Sequence, residues 1–138
     1  MKEHTLYVAE GRWQISGSTI DVAGNPNIAI GLLVVSRSGE LWIAEEQLNE
    51  VQSRWTILPL ENGASTTQFN GVSGVLGELD GSLAFFEDVI LLTYTSSDGV
   101  FHGVESLRFL DPNRYETRGV LFRDGGHVSS WSYVLMRA

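Results

Sequence analysis

The stretch from Phe86 to Arg137, FEDVILLTYTSSDGVFHGVESLRFLDPNRYETRGVLFRDGGHVSSWSYVLMR, decides the fold. It is rich in β-branched and aromatic residues and broken by turn signals, the pattern of short antiparallel strands joined by tight reversals. Asp98-Gly99 and Asp124-Gly125 have the chemistry of two-residue hairpin turns. Asp111-Pro112-Asn113-Arg114 reads as a four-residue turn. These assignments set Ser97 opposite Val100, Leu110 opposite Tyr115 and Arg123 opposite Gly126. Directly opposed side chains share a face. One face then gathers Ile90, Leu92 and Tyr94; Phe101, Gly103, Glu105, Leu107 and Phe109; Glu116, Arg118, Val120 and Phe122; and Trp131, Tyr133 and Leu135. The other gathers Thr93, Thr95, His102, Ser106, Arg108, Thr117, Arg123, Ser130 and Ser132. The first face is large and mostly apolar and is expected to point inward. A three-residue loop at Asp124-Gly125-Gly126 would instead turn Val128, Ser130, Ser132, Val134 and Met136 inward; the two-residue turn is preferred because it buries Trp131 and Tyr133.

Outward from this stretch the pattern continues. Ser38-Gly39, Asn62-Gly63, Asn70-Gly71 and Asp80-Gly81 read as further reversals. Residues 42–53, WIAEEQLNEVQS, fit two readings. Ala44, Leu48 and Val51 recur at helical spacing, whereas a turn near Leu48-Asn49-Glu50 would make a hairpin. Glu45, Glu46 and Glu50 read as a solvated face. Gly71, Gly74 and Gly77 suggest a bent strand, a flexible connection or a lid at a barrel mouth. The expected class is all-β: an antiparallel up-and-down barrel of about eight to ten strands, with room for one short helix, because closure hides the two edges of a meander. A β-sandwich is the alternative. Residues 1–138 read as one domain.

Composition narrows the function. Nine Lys and Arg against 17 Asp and Glu give a net charge of −8. Nucleic acid and anionic membrane surfaces are therefore poor partners. There is no cysteine, hence no disulfide framework or thiolate metal site. The three histidines, His4, His102 and His127, lie far apart in sequence, and no metal-ligand spacing is present. The sequence has no signal-peptide pattern at Met1–Thr5 and its longest apolar run is Ile28–Val35, so a cytoplasmic location is expected.

Near the start stands Gly11-Arg12-Trp13, at the head of the first strand, and Arg137 stands beside the C-terminus. This pair resembles the opening motif of lipocalins and their calycin relatives. The resemblance implies a Trp that closes one end of the barrel and an Arg that packs on it. In length and meander the chain also resembles the small bacterial lipocalin-like barrels. A nitrobindin-like haem branch is disfavoured: the glycine spacing after Trp13 runs only to Gly17, and His127 is the sole C-terminal candidate ligand. No cofactor is expected.

The inward polar groups are the candidate site. A carboxylate at Glu105 among Phe101, Leu107 and Phe109 is costly unless paired, and in this register Arg118 lies opposite Leu107, diagonal to Glu105. One reading is a structural ion pair. The other is a ligand cavity lined by Tyr94, Phe101, Glu105, Arg118, Trp131 and Tyr133, since aromatic walls with a few convergent polar groups make small-molecule sites. Trp13, Trp42 and Trp55 read first as core packing. The expected function is binding of a small, largely apolar molecule inside the barrel. The alternative is a cofactor-independent isomerase, cyclase or dehydratase, with Glu105 transferring a proton and Arg118 or a Tyr holding the oxyanion. A filled barrel that serves as a structural or interaction module is the third reading. An unpaired edge would support a homodimer.

Overall fold

A computed structural model describes residues 3–138. These residues form ten antiparallel strands and no helix: β1 Gly11–Asp21, β2 Pro26–Ser38, β3 Leu41–Leu48, β4 Val51–Ile57, β5 Thr66–Ser73, β6 Gly77–Phe86, β7 Val89–Ser96, β8 Phe101–Asp111, β9 Arg114–Arg123 and β10 Gly126–Arg137. Each pairs with its neighbours in sequence, and β1 pairs with β10 from Trp13↔Arg137 to Asp21↔Ser129, closing the barrel. Closure leaves no edge strand among the ten.

Residues 42–53 resolve as the β3–β4 hairpin. Leu48 faces Val51 across the turn, and Asn49 takes a left-handed backbone, with φ of 52°. Asn tolerates that conformation, and its side chain ties the turn to β2 through the Ile30 N–H and the Ile28 carbonyl. Helical spacing in this segment was a by-product of good helix formers on a strand. Two expected reversals are not turns. Asn70-Gly71 and Asp80-Gly81 lie inside β5 and β6 and pair with each other's strand, Asn70↔Asp80. Their glycines make room for rings instead: Trp55 lies over Gly71 and Phe69 over Gly81, each directly across the ladder.

The β7–β8 register is as expected, with Tyr94 opposite Gly103. The β8–β9 turn is also as expected: Asp111 stands opposite Arg114, the pairing that goes with Leu110 opposite Tyr115. The Asp111 carboxylate accepts the Asn113 N–H at 2.8 Å and holds this turn around Pro112-Asn113; the departure comes one residue into the strand. Leu110 becomes a bulge, and Phe109 pairs with Tyr115. The single-residue shift turns β9 over. Tyr115 and Thr117 are buried, while Glu116 and Arg118 are exposed. At the other end of β9 the two-residue turn holds, with Gly126 opposite Arg123, but a second bulge at Val128 restores the phase. Trp131, Tyr133 and Leu135 therefore point inward as expected, because the two shifts cancel.

One barrel end is closed by the segment that precedes β1. Leu6 and Tyr7 enter the core, with Trp13, Leu33, Phe85, Ile90 and Tyr115 around them. Tyr115 is the anchor. The Thr5 N–H donates to its hydroxyl at 3.2 Å, and His4 Nδ1 lies 2.8 Å from the same oxygen. His4 Nε2 faces the Glu87 carbonyl at 3.1 Å, which can only accept, so Nε2 carries the proton and Nδ1 accepts from Tyr115. The Arg137 guanidinium sits 5.6 Å from the centre of the Trp13 ring and donates to the Glu10 carbonyl at 2.7 Å. The end-closing Trp and its Arg are thus as the resemblance implies.

Candidate functional site

Above the Tyr7 floor the barrel is hollow. The cavity measures about 350 Å³ and opens at the end where Asn49, Val75 and Leu76 stand in the β3–β4 and β5–β6 turns. The glycine-rich β5–β6 connection therefore does border the mouth. The volume is about twice that of an engineered cavity that accepts benzene.

Strand alternation builds the walls. Trp55 and Ser53 reach in from β4, Phe69 from β5, Tyr94 from β7, Glu105 and Leu107 from β8, Thr117 and Leu121 from β9, and Trp131, Tyr133 and Leu135 from β10. Large rings fit because glycines stand across from them. Trp131 lies over Gly119, and Tyr94 over Gly103, each its direct cross-strand partner. A Cβ at either glycine would occupy the space of the ring. Tyr7 forms the floor with a left-handed backbone, φ 67°, which its enclosed ring holds in place.

Of the residues expected at the site, Tyr94, Glu105, Trp131 and Tyr133 line the cavity together. Arg118 does not. The β9 inversion points it to solvent opposite Ser106, so the expected Glu105–Arg118 pair is absent. Phe101 lies on the inward face of β8 but beyond the cavity, with the Arg123 guanidinium over its ring at 5.7 Å. The partner of Glu105 is the Trp131 indole N–H, which donates to the carboxylate.

The sequence reading placed Glu46 on a solvated face; the structure places it in the cavity wall. It sits on β3 between the inward Ala44 and Leu48, opposite Ser53. Among the described residues no side chain or backbone group hydrogen-bonds its carboxylate. Its signal was available, since alternation from Ala44 and Leu48 puts Glu46 inside once the segment is a strand. Tyr7 and Thr117 were also missed. The Thr117 hydroxyl is buried in the cavity wall without a partner.

Electrostatics follow from burial. Desolvation pushes the Glu46 carboxyl up to about 7. It does the same to Glu105, which also reaches about 7 although the Trp131 N–H pulls downward; the Glu46 charge adds to the rise. Desolvation first, and then the two carboxylates, raise the Tyr7, Tyr94 and Tyr133 hydroxyls, which remain neutral donors near neutral pH. Among the described residues that line the cavity none is Lys, Arg or His. Among the described residues there is also no group of three or more His, Cys, Asp or Glu placed to hold a metal.

No protein-family model and no curated protein matches the chain. Among solved structures, the S-type phycobiliprotein lyase CPES from Guillardia theta has a similar fold, with a TM-score of 0.64, 11% identity, and coverage of 93% of this chain and 87% of that one. The likeness is one of fold.

The chemistry of the cavity is therefore read from its own walls. Aromatic and aliphatic surface dominates, and the polar groups are concentrated. Glu105 is fixed by an indole and three neutral phenols stand near it, while the half-buried Glu46 accepts no hydrogen bond among the described residues. Such a cavity can desolvate an apolar body and offer a carboxyl at two places.

Proposed function

We propose that the barrel binds a small, largely apolar molecule in this cavity. The observation that carries the proposal is the cavity itself. Its volume of about 350 Å³ falls in the range of ligand sites, and its wall is aromatic and aliphatic with few polar groups. A filled structural core would close such a space, because interiors pack without voids of this size. The lyase whose fold is similar is consistent with a small-molecule site in a barrel of this kind.

The test is native mass spectrometry of gently purified protein against the denatured mass, paired with the variant Ser53→Phe, which fills the space beside Glu46. A non-covalent adduct on the native chain that disappears in S53F supports the proposal. An adduct retained equally by S53F places binding elsewhere and overturns it.

Proton transfer on the bound molecule is the second reading. It is favoured by the enclosed Glu105 carboxyl, which sits near 7 and so exchanges its proton near neutral pH. Arg118 has no part in it. Conversion of the retained molecule by the parent chain and not by Glu105→Gln would establish it; slow release of unchanged molecule by both would leave binding alone.

A further inference from the structure

Among the described residues, the cavity is lined by two carboxyl groups and no cation. Glu46 on β3 and Glu105 on β8 stand five strands apart whichever way the ten-stranded barrel is counted, so they approach the cavity from opposite walls. Among the described residues, Glu105 has one donor, the Trp131 indole N–H, and Glu46 has none. Thr117 adds a buried hydroxyl with no partner. A buried carboxylate without a counter-charge is a costly thing to keep in an apolar wall. Trp55, Tyr94, Trp131 and Tyr133 line the same cavity. Ring faces are negative and attract a cation that has shed its water.

Resting on the cavity being a binding site, we propose that its ligand is a cationic amine, an apolar body bearing one ammonium group that lies between Glu46 and Glu105 on the aromatic wall. An anionic ligand would meet two like charges and no compensating group. A neutral one could hydrogen-bond Glu46 but would leave the charge of both carboxylates uncompensated. A bare divalent metal would need about six oxygen ligands, which this wall of rings and aliphatic side chains does not assemble. An ammonium group donates up to three hydrogen bonds, enough for one carboxylate and a hydroxyl, while the other carboxylate acts on its charge from across the cavity. The titratable groups that face it are Glu46 on β3, Glu105 on β8, Tyr94 on β7, Tyr133 on β10 and Tyr7 on the N-terminal segment. Only the two glutamates change charge between pH 5 and pH 8, so the preference for a cation should be strong at pH 8 and fade at pH 5.

The test uses three probes of one shape: 3-phenylpropylamine, 3-phenylpropan-1-ol and 3-phenylpropionate, titrated calorimetrically into the full chain at pH 8 and pH 5. At pH 8 the amine should bind about tenfold or more tighter than the alcohol, and the carboxylate most weakly, in line with charge pairing in a desolvated site. The amine-to-alcohol ratio should shrink at pH 5. Glu46→Gln, isosteric and uncharged, should lower that ratio at pH 8 by about fivefold or more. These comparisons in the parent chain do not depend on any variant folding. Equal binding of amine and alcohol at pH 8, or tightest binding of the carboxylate, overturns the amine assignment and leaves the cavity as a site for apolar molecules. Failure of all three probes to bind, with no native adduct, overturns the cavity reading and this inference with it.

Discussion

Glu105 and Glu46 show what one residue's environment decides. Each keeps its proton to about pH 7 in the folded barrel, against an ordinary value of 4.5 in the unfolded chain. Between those values the folded state binds more protons than the unfolded one, so these two groups make stability fall as pH rises. A shift of one unit corresponds to about 1.4 kcal/mol, which puts the effect of each carboxyl on the order of a few kcal/mol at pH 8. Glu46→Gln should then raise the chemical-denaturation midpoint at pH 8 and leave it nearly unchanged at pH 5. The difference between variant and parent is the quantity to read, because His4 acts in the opposite direction: desolvation holds it below 6.5 in the folded state, so its contribution grows with pH up to that value. A Glu46→Gln difference that is the same at both pH values would show that the carboxyl is hydrated. Gly119 makes a second residue-scale case. Gly119→Ala puts a methyl group where the Trp131 indole lies, so the ring must leave and its N–H must leave Glu105. A loss of stability of about 1–3 kcal/mol is expected from such overpacking, together with a changed Trp131 emission; an unshifted spectrum would mean that the ring does not rest on Gly119. Gly119 was not legible in this role from the sequence, and Glu46 only once its segment is taken as a strand. Glu46 stood beside Glu45 in a segment with two open readings, and Gly119 was assigned no partner because β9 was read one residue out of phase.

At the scale of elements, legibility followed turn chemistry. Asp98-Gly99 named its hairpin and its register, and Tyr94 and Glu105 were placed correctly through it. Asp111-Pro112-Asn113-Arg114 named its turn and the pairing at the turn, but not the bulge at Leu110 just before it. A bulge leaves no mark in hydrophobic alternation except a phase error, and here Leu110 and Val128 made two that cancelled at β10. Arg118 fell between them and went to the wrong face. The N-terminal segment was not legible at all, since His4-Thr5-Leu6-Tyr7 has no periodicity and its role depends on Tyr115, more than a hundred residues away. That segment is a floor with a measurable contribution. Leu6→Ala should cost about 2–5 kcal/mol, the range for removing a fully buried leucine. Protonation of His4 removes the acceptor for the Tyr115 hydroxyl, so hydrogen exchange at residues 4–8, corrected for intrinsic rates, should quicken below pH 6 more than in the strands. Uniform protection across that range would show that the Thr5 bond and the burial of Leu6 hold the floor unaided.

At the scale of the whole molecule, acids of a chain with a net charge of −8 stand at both barrel ends, the open one included. Four of the five turns at the open end carry an acid: Asp21 next to the β1–β2 turn, Glu50 in β3–β4, Asp98 in β7–β8 and Asp124 in β9–β10. Asp98 is held below the ordinary carboxylate value by the Ser96 hydroxyl and the Val100 N–H. Asp21 is held below it chiefly by the N–H of Asn25, so both stay ionised well into acid. Acids around an apolar mouth concentrate cations there and repel anions, with Arg123 beside Asp98 as the opposing charge at this rim. For an amine ligand this acts on arrival and not on residence, because the rim lies outside the bound position. The association rate of 3-phenylpropylamine, followed by stopped-flow tryptophan emission, should fall several-fold between about 20 mM and 500 mM salt, as screening shortens the reach of the rim. Its dissociation rate should change little over the same range, since the cavity carboxyls are enclosed. The association rate of 3-phenylpropan-1-ol should not respond to salt. Equal salt responses from the two probes would place the effect of salt on the protein and not on the charge of the ligand. Neutralising the rim with Glu50→Gln and Asp124→Asn then separates the two scales. Those changes should slow the arrival of the amine at low salt while leaving its amine-to-alcohol preference at equilibrium largely intact, whereas Glu46→Gln should do the reverse.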